Sequence, residues 1–235
     1  MKIEIWSDIV CPWCYIGKRR LEAALARFPH RADVEVFWRA FELDASAPDE
    51  RTGELVDHLA AKYSVSRTDA QAMHDSMTGT AAAEGLTFRF DRARSGNTFA
   101  AHRLLHLAGD RGVQGPLKER LLSAYLSEGE PIGDRETLVR LAAEIGLDAA
   151  EVRGVLDTDR YADAVRVDER QAAAFGATGV PFFVVDRRYA VAGAQPADVL
   201  LEVLEKAWAD THPLTLVTAG RTSSTGACED GTCPA

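Results

Sequence analysis

The chain has 235 residues, a formal net charge of −9 and a sequence pI of about 5.2, and 46% of its residues are hydrophobic. This length allows an ample core, and the composition is typical of a soluble globular protein. The negative charge argues against sequence-independent binding to DNA or RNA, and no apolar run approaches the roughly 20 residues of a membrane span.

The amino terminus shows no secretory signal, because Met1 leads directly into a predicted strand without an apolar signal segment. If Met1 is the natural start, we expect a cytoplasmic protein. Disulfides in that compartment are usually transient or catalytic. Four cysteines are in any case too few for a disulfide scaffold of this length.

The first three predicted elements form a βαβ unit. Apolar and polar residues alternate at about residues 2–7, which predicts a strand, and again at residues 34–39 (VEVFWR). Between them, apolar residues at helical spacing predict a helix over about residues 13–28, ended by Pro29. In such a unit we expect the two strands to be parallel.

The motif Cys11-Pro12-Trp13-Cys14 lies where the first strand gives way to the first helix. Pro12 suits the first helical turn, where its missing N–H costs nothing. The free N–H groups and the positive end of the helix dipole favour a thiolate, so we expect a lowered pKa for Cys11. Cys14 is one turn further on, within reach of a disulfide.

Two functions suit this motif. In a redox pair, Cys11 would be the exposed attacking thiol and Cys14 the buried resolving thiol, while an exposed Trp13 would offer an apolar contact to a client. The alternative is half of a zinc site, because the same spacing suits tetrahedral zinc. The strand–helix setting favours redox chemistry.

The rest of the chain predicts a long helical stretch followed by a return to the sheet. Residues from about 46 to 175 show helical spacing punctuated by Gly and Pro, with Asn97 and Asp134 as candidate N-caps. Residues 182–185 (FFVV) and 189–191 (YAV) flank a turn and predict a hairpin, after which Pro196 opens the last helix. The predicted order is therefore β-α-β, helices, then β-β-α.

The carboxyl-terminal residues differ in composition and carry the other two cysteines. Residues 215–235 predict a flexible tail that contains Cys228 and Cys233 (CEDGTC). A loop this short can close a disulfide, so we expect a secondary redox pair that exchanges electrons with Cys11–Cys14. A metal-binding tail and an inert end are the alternatives.

Three polar residues have two interpretations each. Asp8, three residues before Cys11, is either the base that takes the Cys14 proton or a loop or cap residue. His102 and His106 have the i, i+4 spacing of metal ligands, but without a third ligand we expect core or surface histidines and no metal.

Taken together, the predicted order resembles a thioredoxin fold, and the helical insertion after the second strand resembles the DsbA arrangement. Four stretches are similar to the FrnE-type, cytosolic branch of DsbA-like oxidoreductases: residues 7–17 (SDIVCPWCYIG), 38–43 (WRAFEL), 97–104 (NTFAAHRL) and 179–183 (GVPFF). The likeness covers about residues 1–210, and some FrnE-type proteins also carry a C-terminal CxxxxC pair.

The resemblance implies an α/β fold with three parts. A thioredoxin domain would comprise residues 1–45 and 176–214, an all-helical insertion residues 46–175, and the cysteine-containing tail residues 215–235. It also implies that the proline opening the third strand, Pro181, is cis and faces the cysteine pair, so that the backbone of Val180 offers hydrogen bonds to a substrate chain. A trans proline at the start of an edge strand is the alternative.

The implied activity is protein disulfide oxidoreductase or isomerase chemistry through Cys11 and Cys14, with no cofactor beyond the cysteine pair. The expected partners are client proteins and a reductant, either thioredoxin or a low-molecular-weight thiol. Related kappa-class glutathione transferases and 2-hydroxychromene-2-carboxylate isomerases have serine at the position of Cys11. The presence of both cysteines in this chain favours disulfide chemistry. The alternative is glutathione-dependent transfer or isomerisation, in which Asn97 would contact glutathione rather than act as a plain N-cap.

Overall fold

The computed structural model describes residues 1–212. Its helices and strands follow one another as β1 (Lys2–Ser7), α1 (Pro12–Arg27), β2 (Glu35–Ala40), α2 (Leu55–Tyr63), α3 (Arg67–Ala83), α4 (Phe99–Asp110), α5 (Gln114–Ser123), α6 (Arg135–Glu144), α7 (Ala149–Leu156), α8 (Ala162–Ala174), β3 (Phe182–Val185), β4 (Tyr189–Ala192) and α9 (Ala197–Thr211). Within this part of the chain, no helix is both long and apolar enough to span a membrane.

The four strands form one mixed sheet in the order β2-β1-β3-β4. β1 pairs with β2 in parallel, as the βαβ pattern predicted, and β3 pairs antiparallel with both β1 and β4. α1 follows β1, α9 follows β4, and seven helices lie between β2 and β3. This is the predicted thioredoxin fold with an all-helical insertion after the second strand.

The alternation along β1 directs its side chains to two separate cores. Ile3 and Ile5 pack with α1 and α9 on one face of the sheet. Trp6 lies on the other face, where it packs with Phe182 and with Ala172 of α8. Because both faces are covered, β1 is buried along nearly its whole length, and the residues that follow it are held inside the molecule.

Capping residues were predicted for two of the inserted helices, α4 and α6. The side chain of Asp134 accepts a hydrogen bond from the backbone N–H of Thr137, so the predicted cap of α6 is confirmed. α4 begins one residue later than predicted, with Thr98 at the N-cap position. The Asn97 carbonyl still accepts a hydrogen bond from the N–H of Phe99, while its amide donates to the backbone oxygen of Ala47.

The last helix ends at the opposite end of the sheet from the cysteine motif. Near its end, the Trp208 ring lies between His30 and His212, with ring centroids 4.1 Å and 3.8 Å away. These rings lie beside Met1, at the beginning of β1, whereas Cys11 follows the end of that strand. Cys228 and Cys233 lie outside the described residues.

Candidate active site

The Cys11–Cys14 motif occupies the predicted junction of strand and helix. Cys11 is the N-cap residue of α1, with extended backbone, and Pro12 is the first helical residue. The backbone N–H of Cys14 donates to the backbone oxygen of Cys11 at 3.0 Å, which closes the first turn and places both sulfurs on one side of it. Trp13 points outward and is 42% exposed, as predicted.

The predicted exposure of the attacking thiol is wrong. Cys11 is only 4% exposed and Cys14 1%, so both thiols are buried. The two differ in what they face, because Cys11 lines a large cavity and Cys14 does not. Access to the pair is therefore through Cys11, from inside that cavity.

The cavity has a volume of about 820 Å³ and lies between the cysteine motif and the hairpin of α2 and α3. Its walls are largely apolar, and α2 and α3 contribute Leu55, Leu59, Tyr63, Met73 and Met77. Its volume lies within the roughly 300–1,000 Å³ typical of ligand pockets. A substrate that reaches Cys11 must therefore place part of itself inside this apolar space.

The loop before β3 supplies the other side of the site. The Val180–Pro181 peptide bond is cis, as the family resemblance predicted. The Cys11 thiol donates to the backbone oxygen of Val180, with sulfur and oxygen 3.5 Å apart. A Cβ on Gly17 of α1 would lie 2.9 Å from Cγ of Pro181, so the absence of a side chain there lets the helix approach this loop.

Cys14 faces polar groups that stabilise a negative charge. Burial opposes its ionisation, but the hydrogen bond from Cys11, the positive charge of Lys118 and the hydroxyl of Ser7 lower the pKa of Cys14 below its usual value. The backbone N–H of Asp8 acts in the same direction. The buried Ser7 hydroxyl has no hydrogen-bond partner in the described structure, so it is free to donate to Cys14.

Cys11 and Cys14 lose their first proton as a pair. The hydrogen bond to Cys14 and burial raise the pKa of Cys11, and the backbone N–H of Cys14 acts in the opposite direction. The first negative charge belongs to the pair of sulfurs, and the lowering of the Cys11 pKa stays a prediction.

Asp8 does not have the geometry of a base. One carboxylate oxygen accepts from the N–H of Ile9 at 2.7 Å and lies 3.3 Å from Nε2 of His102, and the other accepts from the N–H of Leu43 at 2.8 Å. Burial opposes the charge, but these hydrogen bonds lower the pKa of the carboxyl. Of the two interpretations, the structure favours the loop-ordering residue, since a carboxylate of low pKa that is fully hydrogen-bonded is a weak base.

Lys118 of α5 is a site residue that was not predicted from the sequence. Its side chain is fully buried, and its Nζ donates to the backbone oxygen of Ser7 at 3.2 Å. Burial lowers the pKa of Lys118 to about 8, although the charges of Cys14 and Asp8 oppose that shift. A sequence signal did exist, because Lys118 lies within the apolar stripe formed by Leu117, Leu121 and Leu122.

The two histidines on α4 pair with carboxylates rather than with a metal. His102 lies against Asp8, and Nε2 of His106 lies 3.1 Å from a carboxylate oxygen of Asp168. Residues 1–212 contain no group of three or more His, Cys, Asp or Glu side chains placed to hold a metal ion. Both histidines are therefore structural partners of buried carboxylates.

Comparisons with known proteins identify the family. Residues 2–205 match the model of the DSBA-like thioredoxin domain. The uncharacterized protein YwbO of Bacillus subtilis is 30% identical over 210 residues, which cover 88% of this chain and 96% of that protein. The chain belongs to the DsbA-like thioredoxin domain family, whose members are thiol–disulfide oxidoreductases and related isomerases.

Two solved structures share the fold. A probable DsbA oxidoreductase of Streptomyces coelicolor is 48% identical, with a TM-score of 0.86, and the match covers 98% of this chain and all of that one. The cytosolic disulfide reductase DsbM of Pseudomonas aeruginosa, solved with GSH, is 20% identical, with a TM-score of 0.63, and the match covers 88% of this chain and 99% of that one. At that lower identity, the likeness to DsbM is one of fold.

Proposed function

We propose that this protein catalyses thiol–disulfide exchange on protein disulfides through Cys11 and Cys14, as a member of the FrnE-type branch. The observation that carries the proposal is the arrangement of the two thiols. Cys11 lies at a helix N-terminus, beside the Val180 carbonyl and at the wall of a substrate-sized cavity. Cys14 lies behind it and is surrounded by groups that stabilise a thiolate.

The first step is attack by Cys11 on a client disulfide. The reduced pair shares one proton between its two sulfurs, and attack requires the charge on Cys11 and the proton on Cys14. The Cys11 thiolate then attacks one client sulfur. A Cys11–client disulfide forms, the client S–S bond breaks, and the other client sulfur leaves as a thiolate that takes up a proton from solvent.

The second step is resolution by Cys14. Cys14, which holds the remaining proton, loses it, and the thiolate attacks the Cys11 sulfur, so that the Cys11–Cys14 disulfide forms and the bond to the client breaks. The client sulfur leaves as a thiolate and takes up that proton. The client leaves reduced by two electrons, and the cysteine pair is oxidised by two. Thioredoxin or a low-molecular-weight thiol then reduces the pair, and the same steps in reverse oxidise a client. The proposal needs no cofactor beyond the two cysteines.

Client binding would use the groups that surround Cys11. The backbone of Val180 and Pro181 would pair with an extended client segment, while Trp13 offers an exposed apolar surface. An apolar client side chain would occupy the cavity beneath α2 and α3. In this proposal, a helical domain of residues 46–175 helps to bind the client, and a thioredoxin domain of residues 1–45 and 176–214 carries the two cysteines. The protein would act in the cytoplasm.

The test of this function is a pair of serine variants. Cys11→Ser should abolish the reduction of insulin disulfides, and Cys14→Ser should trap Cys11–client disulfides that a reductant releases. A variant with both Cys228 and Cys233 replaced by serine is the matched control, since it keeps the CPWC motif. If Cys14→Ser traps nothing while Cys11→Ser does, the two roles are reversed.

Glutathione-dependent transfer or isomerisation is the second candidate, and the enclosed cavity beside Cys11 is the observation that favours it. Such an enzyme would turn over a small substrate with glutathione after Cys14 has been replaced by serine. Disulfide exchange requires Cys14 for release of the client. Turnover by Cys14→Ser with glutathione therefore discriminates between the two functions.

We also retain the proposal that Cys228 and Cys233 form a secondary redox pair which reduces the Cys11–Cys14 disulfide within one chain. Removal of the residues after Thr222 should slow that reduction by an external reductant, to the same extent at every protein concentration. A dependence on the tail that grows with protein concentration would show transfer between molecules instead.

A further inference from the structure

Lys118 is a buried positive charge without a carboxylate partner. Among residues 1–212, no carboxylate oxygen forms an ion pair with its Nζ, whose one hydrogen bond goes to the backbone oxygen of Ser7. Lys18, one turn beyond Cys14 on α1, is also largely buried, but its Nζ lies 2.5 Å from carboxylate oxygens of both Glu22 and Glu119. An unpaired buried ammonium is costly, so Lys118 needs a different counter-charge.

Two kinds of negative charge lie near Lys118. The Asp8 carboxylate raises the pKa of Lys118 but forms no ion pair with it, and its oxygens contact two backbone N–H groups and His102. The Trp38 ring, 5.7 Å from Nζ, offers only its π face. The cysteine pair supplies the other charge: Cys14 raises the pKa of Lys118 more than Asp8 or Cys11 does, and it is the thiol that does not line the cavity.

We propose that Lys118 is the counter-charge of the Cys14 thiolate, a positioning residue that the helical insertion supplies to the redox pair during resolution. This inference rests on the proposed disulfide exchange. Its distinctive feature is that the charge comes from α5, a helix inserted between β2 and β3, rather than from the strands and helix that carry the cysteines.

The step it assists is the release of the client. In the Cys11–client disulfide, Cys11 bears no charge, and Cys14 must lose its proton before it can attack. The ammonium of Lys118 stabilises the thiolate that forms. Cys14 then bonds to the Cys11 sulfur, the Cys11–client bond breaks with its electron pair on the client sulfur, and that client thiolate takes up the proton that Cys14 lost.

The same charge acts on the equilibrium of the pair. Once Cys11 and Cys14 are joined, the thiolate no longer exists and Lys118 loses that counter-charge. The disulfide is then less stable relative to the dithiol than it would be without this lysine. Lys118 therefore favours the reduced form of the pair and makes its disulfide a stronger oxidant.

The direct experiment measures the Cys14 pKa without any client. In a Cys11→Ser background, the full-length protein is alkylated with iodoacetamide across a pH series. Labelling is quantified on the tryptic peptide that begins at Ile3 and carries Cys14 as its only cysteine, residues 3–18, or 3–19 in variants without Lys18. Adding Lys118→Met should raise the Cys14 pKa by at least about one unit, a tenfold loss of thiolate below that pKa. Lys18→Met is the matched control and should move it much less.

A second measurement uses the intact pair, in equilibrium with reduced and oxidised glutathione. Lys118→Met should shift the equilibrium towards the Cys11–Cys14 disulfide by about tenfold, the equivalent of one pKa unit of lost thiolate stabilisation. Lys118→Gln, with a smaller polar side chain, should shift it in the same direction if the methionine variant does not fold.

The inference is overturned if Lys118→Met leaves both the Cys14 pKa and the glutathione equilibrium unchanged, or if Lys18→Met moves them equally. Failure of the proposed function has a different signature. If the pKa shift is present but the protein neither reduces a client disulfide nor traps a client, then Lys118 is still the counter-charge, and protein disulfide exchange is not the activity.

Discussion

A buried charge lies near each end of strand β1, and the two differ in whether an ion-pair partner is present. Near its beginning, Glu4 is 1% exposed, and its carboxylate accepts hydrogen bonds from the guanidinium groups of Arg39 and Arg187. Burial opposes that charge, but the two arginines lower the pKa of Glu4 to about 2. At its other end, Lys118 has no such partner, and burial lowers its pKa to about 8.

The presence or absence of an ion-pair partner distinguishes a charge that stabilises the fold from one beside the candidate active site. A permanent ion cluster around Glu4 holds β1, β2 and the β3–β4 turn together whatever the redox state. Lys118 forms no ion pair in the described structure, and in the proposed mechanism the Cys14 thiolate supplies its counter-charge. An unpaired buried charge thus marks the end of the strand where chemistry takes place.

The largest expected effect comes from breaking the paired end. Glu4→Gln should destabilise the protein by about 3 kcal/mol, because it leaves two guanidinium groups without their shared carboxylate. Since folding lowers the pKa of Glu4, its contribution is full above about pH 4.5 and is lost as the pH falls towards 2. Urea unfolding at pH 7 and pH 3 measures this, and equal losses at both pH values would contradict it.

At the unpaired end of β1, we expect a substitution to increase the free energy of unfolding rather than to lower it. Lys118→Met should stabilise the folded protein at pH 7 by on the order of 2–3 kcal/mol. The shift of the Lys118 pKa from 10.5 to about 8 corresponds to about 3.5 kcal/mol at about 1.4 kcal/mol per unit, and the loss of its hydrogen bond to Ser7 offsets about 1 kcal/mol of this. The unfolded lysine binds its proton more tightly, so the wild type should recover this difference as the pH rises from about 8 to about 10.5.

The measurement is thermal or urea unfolding of the two proteins side by side across that pH range. Effects of tyrosine ionisation are common to both and cancel in the difference. A variant less stable than the wild type at pH 7 would mean that Lys118 is held mainly by its packing, and the contrast with Glu4 would not hold.

A smaller effect should follow from the other buried lysine. Lys18→Met removes a charge that already has two carboxylate partners, so we expect a loss of about 1 kcal/mol or less. Unfolding at low and high salt checks this, because salt screens an ion pair whose carboxylates are partly exposed, as those of Glu22 and Glu119 are. A gain as large as that of Lys118→Met would remove the distinction between the two lysines.

The smallest expected change concerns Asp8. Asp8→Asn removes a negative charge near the thiols, so it should lower the thiol pKa values, by about half a unit or less. If Asp8 were instead the base for Cys14, the variant would release trapped clients several-fold more slowly at unchanged thiol pKa. Site-resolved alkylation and the rate of client release distinguish these outcomes.

Much of this arrangement could be predicted from the sequence. Alternation and helical spacing located the strands and most helices, because those patterns reflect which face is buried. The position of Cys11 at a helix N-terminus followed from the neighbouring elements, whereas the cis bond at Pro181 came only from the family resemblance. The domain division at residues 46 and 175 remains a prediction.

The charges around the thiols could not be predicted in this way. Lys118 follows Cys14 by more than one hundred residues, and its burial depends on how α5 packs against the end of β1. The helix-terminus argument for Cys11 considered one sulfur alone. In the folded site two sulfurs share a proton, and the groups contributed by Ser7 and Lys118 lower the pKa of Cys14.

The stack of Trp208 between His30 and His212 sets a minimum length for any chain that returns to the active site. Because α9 ends beside Met1, the chain beyond His212 must travel at least the length of β1, about 20 Å at 3.3 Å per residue. The fifteen residues 213–227 separate His212 from Cys228, and even fully extended they span no more than about 55 Å. Shortening this segment to two residues or fewer should therefore prevent Cys228 from reaching Cys11 in its own chain and leave only exchange between two molecules.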